Sequence, residues 1–100
     1  MNIILTGYRA TGKTTVGEIL SEKLAWPLVD TDTLIQERAG MSIQEIVAKE
    51  DWPGFRKRER ETIADVADGD KQVVSAGGGA IIDPENARIL KETGKVILLT

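Results

Sequence analysis

A segment near the start of the chain, GYRATGKT, has the residue types and spacing of a loop that binds phosphate groups. It runs from Gly7 to Thr14 and matches the pattern G-x-x-x-x-G-K-[ST] at every fixed position. Backbone N–H groups of such a loop, with the N-terminus of the following helix, bind the phosphates of a nucleoside triphosphate. Lys13 can accompany the transferred phosphoryl group, and the Thr14 hydroxyl can ligate Mg²⁺. The segment predicts a nucleotide site and leaves the acceptor open; the alternative is a plain strand–turn–helix.

Two carboxylates follow the next apolar segment, Leu28-Val29. They are Asp30 and Asp32, two residues apart. Ligands of open parallel sheets bind at the carboxyl ends of the strands. We therefore expect both side chains beside the phosphate loop, provided that the second strand neighbours the first. Asp30 is the candidate for the metal, and Asp32 would face the acceptor, where a carboxylate can bind hydroxyls and accept a proton. The alternative is that one of them simply caps the following helix.

A helical projection of the charged segment FRKRERE places an arginine and a glutamate at the face that should be buried. The stripe consists of Phe55, Glu59, Thr62, Ile63 and Val66, with Arg56 at its edge. A buried charge without a partner is unfavourable, and a pair three residues apart offsets that cost. Two interpretations stay open. Either the pair holds a guanidinium for a carboxylate ligand, or it is an ordinary intrahelical salt bridge that contributes little.

Three consecutive glycines, Gly77, Gly78 and Gly79, follow the apolar segment QVVS. Ordering three glycines costs backbone entropy, so a mere connector seldom needs all of them. Close approach of the backbone N–H groups to a ligand is one interpretation, and a flexible turn is the other.

These residues are held by elements that alternate between strand and helix. Apolar segments predict strands at residues 2–6, 28–29, 72–75 and 95–100. Periodicity and capping residues predict helices at 13–24, 32–39, from 42, from 53 to about 67, and from 84 to about 93. The alternation predicts an α/β fold in a single domain over residues 1–100, with a parallel sheet and helices on both faces.

Composition excludes several classes of protein. The chain contains no cysteine and no histidine, so it offers no disulfide, thiolate or imidazole chemistry. Its net charge of −3 argues against a nucleic-acid partner. No apolar run approaches the length of about 20 residues that a membrane span needs. The first residues read as a strand and not as a signal peptide. We expect a cytoplasmic protein that acts as a monomer and contacts no membrane.

The chain stops on an apolar strand, Val96 to Leu99, that no helix follows. A buried parallel strand needs cover on both faces. We therefore expect these 100 residues to form the front part of a larger domain.

Taken together, the phosphate loop, DTD after the second strand, GFRKRE and SAGGGA resemble shikimate kinase in order and spacing over the whole chain. The resemblance implies a P-loop kinase fold with a five-stranded parallel sheet, of which this chain would lack the last strand and the lid. It also implies transfer of the γ-phosphate of ATP to the 3-hydroxyl of shikimate, on the route to chorismate and the aromatic amino acids.

The resemblance also implies a role for individual residues. Lys13 and Asp32 would be catalytic, Asp32 as the candidate base, and Thr14 and Asp30 would serve Mg²⁺. The substrate shikimate would contact Asp32, Phe55, Arg56, Gly77, Gly78 and Gly79, with Glu59 holding Arg56 against its carboxylate. ATP would contact Gly7, Arg9, Ala10, Thr11, Gly12, Lys13, Thr14 and Thr15.

The chain departs from the family pattern at Ala10, where the family usually has glycine; a Cβ is tolerable there at negative φ. The lid arginine, a second arginine for the shikimate carboxylate and the adenine loop would lie beyond Thr100. Two other hypotheses remain. A gluconate-type P-loop kinase accounts for GKTT and DTD but not for the Arg56–Glu59 pair joined to the glycines. A catalytically silent nucleotide-binding module would need no acceptor at all.

Overall fold

The computed structural model describes residues 1–7, 13–77 and 79–99, with residues 13, 14, 98 and 99 described by their backbone. Within these ranges, strands and helices alternate as the sequence predicts. The elements are β1 (Asn2–Gly7), α1 (Lys13–Leu24), β2 (Leu28–Asp30), α2 (Thr31–Ala39), α3 (Ile43–Ala67), β3 (Val73–Ser75), a 3₁₀ turn (Ala80–Ile82), α4 (Pro84–Thr93) and β4 (Gly94–Leu99).

The described strands form a parallel sheet in the order β2-β3-β1-β4. The predicted parallel α/β architecture is confirmed, but the condition that the second strand neighbours the first is not met. β3 lies between them, with Ser75 paired to Asp30 on one side and to Leu5 on the other. Val73 and Val74 are fully buried, whereas Leu28 is 37% exposed, so β3 suits the interior of the sheet and β2 its edge.

Helices cover both faces of this sheet. Ile4 belongs to a core cluster with Ile63 of α3 and Leu90 of α4. Successive side chains of a strand point to opposite faces. Leu5 accordingly faces α1, where a Cβ built on Gly17 would lie 3.5 Å from its Cδ1. On the face of Ile4, α3 carries the predicted Arg56–Glu59 pair. On the face of Leu5, α1 follows the phosphate loop.

Capping residues mark the ends of these helices. Ser42 and Glu45 form a capping box at the start of α3, and Gly40 ends α2 in the left-handed conformation with φ 68°. Asp83 caps α4. Of the two aspartates, Asp30 is the N-cap of α2, since its side chain accepts a hydrogen bond from the backbone N–H of Thr33 at 3.1 Å. The capping alternative therefore holds for Asp30, and Asp32 lies in the first turn of α2.

The long helix α3 is two helices joined at a break. Asp51 has non-helical angles, φ 61° and ψ −179°, and Pro53 follows in the first turn of the second half, as predicted. A second core cluster of Ile35, Ile46 and Phe55 ties α2 to both halves. The break thus changes the direction of α3 just before the residues that carry the predicted charged pair.

Candidate active site

A cavity of about 180 Å³ lies at the carboxyl edge of the sheet, between the start of α2, the second half of α3 and the glycine segment after β3. Its walls contain six of the residues that the sequence singles out, together with two that it does not: Asp32, Ile43, Trp52, Phe55, Arg56, Glu59, Gly77 and Gly79. Gly78 lies outside the described residues. The charged pair, one aspartate and the glycines therefore belong to one site, although they are distant in the sequence.

The central contact of this cavity joins Arg56 and Glu59. Nη1 of Arg56 donates a hydrogen bond to Oε1 of Glu59 over 2.9 Å. The glutamate side chain is 2% exposed and the arginine side chain 41% exposed. Burial raises the pKa of Glu59, and the hydrogen bond from Arg56 opposes that rise. The predicted pair is confirmed as a contact, and its geometry is that of a buried anion holding a cation at the cavity wall.

The two described glycines leave room that the charged side chains occupy. A Cβ on Gly79 would lie 2.7 Å from both Nη1 and Nη2 of Arg56. One on Gly77 would lie 3.0 Å from Oδ1 and 3.1 Å from Oδ2 of Asp32. The absence of side chains at these positions therefore lets a carboxylate and a guanidinium approach the backbone closely. Behind them, Nδ2 of the buried Asn86 donates to the carbonyl oxygen of Ala80 over 3.1 Å and holds the turn that follows the glycines.

Sequence reasoning missed Trp52 and Ile43 as members of this cavity. Trp52 stacks on Phe55 with ring centroids 5.8 Å apart, and Cζ of Arg56 lies 5.7 Å from the Trp52 ring centroid. A signal was available, because Trp52 stands three and four residues before Phe55 and Arg56, the spacing that puts helical side chains on one face. An exposed tryptophan beside an arginine is informative in itself; this one is 56% exposed.

The predicted nucleotide site is described only in part. Gly7 ends β1 with φ 146°, and α1 begins at Lys13, so the strand before the loop and the helix after it are confirmed. Arg9, Ala10, Thr11 and Gly12 lie outside the described residues, and Thr15 is exposed on α1. The roles of the Lys13 and Thr14 side chains in nucleotide binding rest on the sequence pattern.

Oxygen atoms at the strand ends suit a hard cation. Asp30 ends β2 with an exposed side chain, and the hydroxyl of its register partner Ser75, a 4% exposed residue, has no hydrogen-bond partner in the part of the chain that the structure describes. Carboxylate and hydroxyl oxygens are ligands or water-holders that Mg²⁺ accepts. No group of three or more acidic residues that could hold a metal occurs within ranges 1–7, 13–77 and 79–99. A cation here would therefore depend on few protein ligands together with phosphate oxygens and water, as Mg²⁺ usually does.

A family model described as shikimate kinase matches residues 9–100. The chain belongs to the shikimate kinase family. A shikimate kinase of Syntrophus aciditrophicus (strain SB) is 52% identical over 99 residues, which are 99% of this chain and 51% of that protein. The chain thus spans about half the length of the curated relatives it matches.

Solved shikimate kinases have the same fold as the described chain. That of Aquifex aeolicus has a TM-score of 0.95 and 36% identity, and the match covers 100% of this chain and 60% of that one. A shikimate kinase of Acinetobacter baumannii, solved in complex with shikimate, has a TM-score of 0.94 and 39% identity, with 98% and 55% covered. These neighbours confirm the predicted P-loop kinase type of fold for this shikimate kinase family member.

A gluconokinase from Sinorhizobium meliloti is more distant, with a TM-score of 0.55 and 18% identity over 97% of this chain and 54% of that one. At that identity the likeness concerns the fold alone. In the part of the chain that the structure describes, no helix is long and apolar enough to cross a membrane.

Proposed function

We propose that the protein phosphorylates the 3-hydroxyl of shikimate with ATP, giving shikimate 3-phosphate and ADP. The observation that carries the proposal is the guanidinium of Arg56, held by the buried Glu59 at the wall of a cavity that also contains Asp32. Membership of the shikimate kinase family supports it, as does the likeness to an enzyme solved with shikimate. The gluconokinase of Sinorhizobium meliloti is 18% identical to this chain, so that likeness supports the fold and not gluconate as the acceptor.

In this proposal the cavity binds shikimate through its carboxylate and hydroxyl groups. Arg56 binds the carboxylate, since a guanidinium forms two parallel charge-assisted hydrogen bonds with it. Glu59 acts through Arg56. Asp32 accepts hydrogen bonds from ring hydroxyls, the backbone at Gly77 and Gly79 lines the cavity, and Phe55 with Trp52 contacts the apolar ring face. The substrate-contacting residues are thus Asp32, Phe55, Arg56, Gly77, Gly78 and Gly79.

ATP binds at the loop between β1 and α1. The loop and its flanks comprise Gly7, Arg9, Ala10, Thr11, Gly12, Lys13, Thr14 and Thr15. Thr14 and Asp30 would hold Mg²⁺, which when bound neutralises charge that develops on the phosphates. The hydroxyl of Ser75, which is paired in register with Asp30, is buried and has no hydrogen-bond partner among the described residues, so it is a further oxygen beside the proposed Mg²⁺ site.

In the reaction, the 3-hydroxyl oxygen forms a bond with the γ-phosphorus while the bond to the β,γ-bridging oxygen breaks. The hydroxyl proton passes to Asp32, and Lys13 stays with the transferred group. Such transfers depend mainly on position and electrostatics. The contact of Glu59 with Arg56 therefore matters for the transfer in addition to proton acceptance by Asp32, because Arg56 orients the ring and hence the hydroxyl.

We further propose that residues 1–100 are the nucleotide- and shikimate-binding part of one domain, and that the protein is a cytoplasmic monomer without nucleic-acid or membrane partners. The net charge of −3 supports the last point.

The test is an ADP-release assay on the full-length protein with shikimate and, in parallel, gluconate as acceptor. We expect turnover that depends on shikimate, with gluconate no better than water. Turnover with gluconate alone would establish the alternative kinase. Nucleotide binding without turnover on either acceptor would establish a silent binding module.

A further inference from the structure

The break in α3 is a sharp turn that the chain is built to hold. Asp51, which is not glycine, has φ 61°, a value that favours glycine, so neighbouring contacts must maintain it. A Cβ built on Gly54 would lie 2.3 Å from Cβ of Glu50. Residues four apart on a regular helix have Cβ atoms about 5–6 Å apart. The two halves therefore fold toward each other so closely that position 54 accommodates no side chain.

An ion pair spans this turn. Arg58, in the second half, donates from Nε to Oε1 of Glu50 over 3.0 Å and from Nη2 to Oε2 over 2.7 Å. Both oxygens of the carboxylate are thus engaged in the two-pronged geometry that is the strongest for these groups. On an unbroken helix, residues eight apart are about 12 Å apart along the axis. The contact therefore belongs to the bent form of α3 and to no straight one.

This pair differs from the other arginine pairs on the surface. Its side chains are 34% and 33% exposed, whereas Arg88, which pairs with Glu85 and Glu92 within α4, is 54% exposed. The hydrogen bond from Arg58 lowers the pKa of Glu50. The Arg88–Glu85 contact is two-pronged as well, so the Glu50–Arg58 pair differs in being less exposed and in joining the two halves of a broken helix.

The cavity is lined by residues from both halves of α3. Ile43, at the start of the first half, lines one side of it. The cavity residues Trp52, Phe55 and Arg56 all follow the break. Arg58 is two residues beyond Arg56, so the two guanidinium groups leave the helix on different sides, and each has its own carboxylate. A change of angle would move Arg56 relative to Asp32 without breaking its bond to Glu59.

We propose that Glu50 and Arg58 are positioning residues for the acceptor site: by joining the two halves of α3 across the break, they hold Arg56 at the distance from Asp32 that shikimate requires. The inference rests on the proposed function for its substrate. In this proposal neither Glu50 nor Arg58 contacts the substrate. Arg56 binds it, with Glu59 holding Arg56 in place.

The experiment compares Arg58→Ala, Glu50→Ala and their combination in the full-length protein, with Arg88→Ala as the matched control. Each single variant should raise the shikimate KM about three- to tenfold and leave the ATP KM within about twofold. The double variant should be no worse than either single one, because both remove the same link. Arg88→Ala should change neither constant.

Two results would overturn the proposal. One is a shikimate KM that stays at the Arg88→Ala value; the other is an equal rise in both KM values, which a general loss of folding would produce. Arg58→Lys covers the case in which Arg58→Ala does not fold. It retains the charge but offers a point contact in place of the two-pronged one, and it should give an intermediate shikimate KM. An Arg58→Lys protein with unaltered constants would also count against the proposal.

A second readout separates this inference from the proposed function. If the unaltered protein shows no shikimate-dependent ADP release, the function fails, and the positioning role is then tested by acrylamide quenching of Trp52 in a background in which Trp26 and any tryptophan beyond residue 100 are replaced by phenylalanine. Arg58→Ala should change the quenching constant of Trp52, because this ring follows the break directly, whereas Arg88→Ala should not. Equal quenching in both variants would refute the positioning role.

Discussion

The guanidinium of Arg56 occupies the space in which a side chain at Gly79 would have to lie. Both terminal nitrogens would be 2.7 Å from a Cβ built there. Such a distance requires one of the two groups to move, and Arg56 is anchored through Nη1 by Glu59. The glycine and the buried glutamate therefore both determine the position of the same cation, although 20 residues separate them in the sequence.

Gly79→Ala should raise the shikimate KM about tenfold or more, because the new methyl group displaces the guanidinium from its place beside the cavity. The ATP KM should change little, since the nucleotide loop lies after β1. Steady-state kinetics with each substrate varied in turn measure both constants. Gly77→Ala is the matched comparison: its Cβ would crowd Asp32 and not Arg56, so its main effect should fall on kcat. Indistinguishable kinetic profiles for the two alanine variants would contradict this assignment.

Arg56→Ala should raise the shikimate KM by about a hundredfold, the loss expected when a two-pronged charge-assisted contact with a carboxylate disappears. Arg56→Lys should recover only part of it, because an ammonium group cannot form the two parallel hydrogen bonds. ATP affinity, measured by calorimetry, should remain within about twofold in both variants. An equal loss of affinity for ATP and shikimate would mean that Arg56 is a structural residue.

Glu59 should give the stability of the protein a characteristic dependence on pH. Burial raises its pKa above the ordinary value of 4.5, so the folded state binds the proton more tightly than the unfolded state. Its contribution is complete below about pH 4.5 and is lost as pH rises through the folded-state pKa. The free energy of unfolding of the wild type minus that of Glu59→Gln should therefore fall over this range and then level off.

The control for that measurement is Glu85→Gln. The hydrogen bond from Arg88 lowers the pKa of Glu85, so the sign is reversed: the stabilisation is present above the unfolded-state pKa and is lost as pH falls through the folded-state value. Urea unfolding at a series of pH values gives both differences. If the two differences in unfolding free energy changed with pH in the same direction, burial would not be what sets the pKa of Glu59.

The sequence predicts which residues form this site better than it predicts the order of the strands in the sheet. Helical periodicity put Phe55 and Glu59 on the buried stripe, and both are buried, because the 3.6-residue repeat is a local property. The order of the strands is not local. β3 lies between β2 and β1 because Val73 and Val74 need cover on both faces, a requirement that appears only when all strands compete for the interior.

Ile43 and the Glu50–Arg58 pair show a second limit. The sequence indicates a new helix at Pro53, but the angle between the two halves follows from the backbone of Asp51 and from the clearance at Gly54. Contacts across a bend cannot be derived from periodicity, since the periodicity stops where the bend begins. This is why the cavity wall on the side of Ile43 was not predicted, whereas the wall along the stripe of Phe55 and Glu59 was.

The carboxylate of Asp32 can accept the hydroxyl proton or orient the hydroxyl, and variants of this residue distinguish the two roles. Its oxygens lie next to Gly77, and its charge contributes to the raised pKa of Glu59, so it faces the same cavity. Asp32→Asn retains a hydrogen-bond acceptor but not a base. If Asp32 accepts the hydroxyl proton, kcat should fall about 10²- to 10⁴-fold with a small change in shikimate KM, and the acidic limb of the kcat–pH profile should disappear.

Asp32→Ala removes the acceptor as well, so its shikimate KM should also rise, and the difference between the two variants gives the contribution of binding alone. Should Asp32→Asn retain more than about a tenth of the wild-type kcat and the same pH profile, proton transfer is not its role. The carboxylate would then act by orienting the 3-hydroxyl, which agrees with a transfer governed by position and electrostatics. In that case Asp32→Ala should lower kcat far more than Asp32→Asn, because only the alanine variant leaves the hydroxyl without an acceptor.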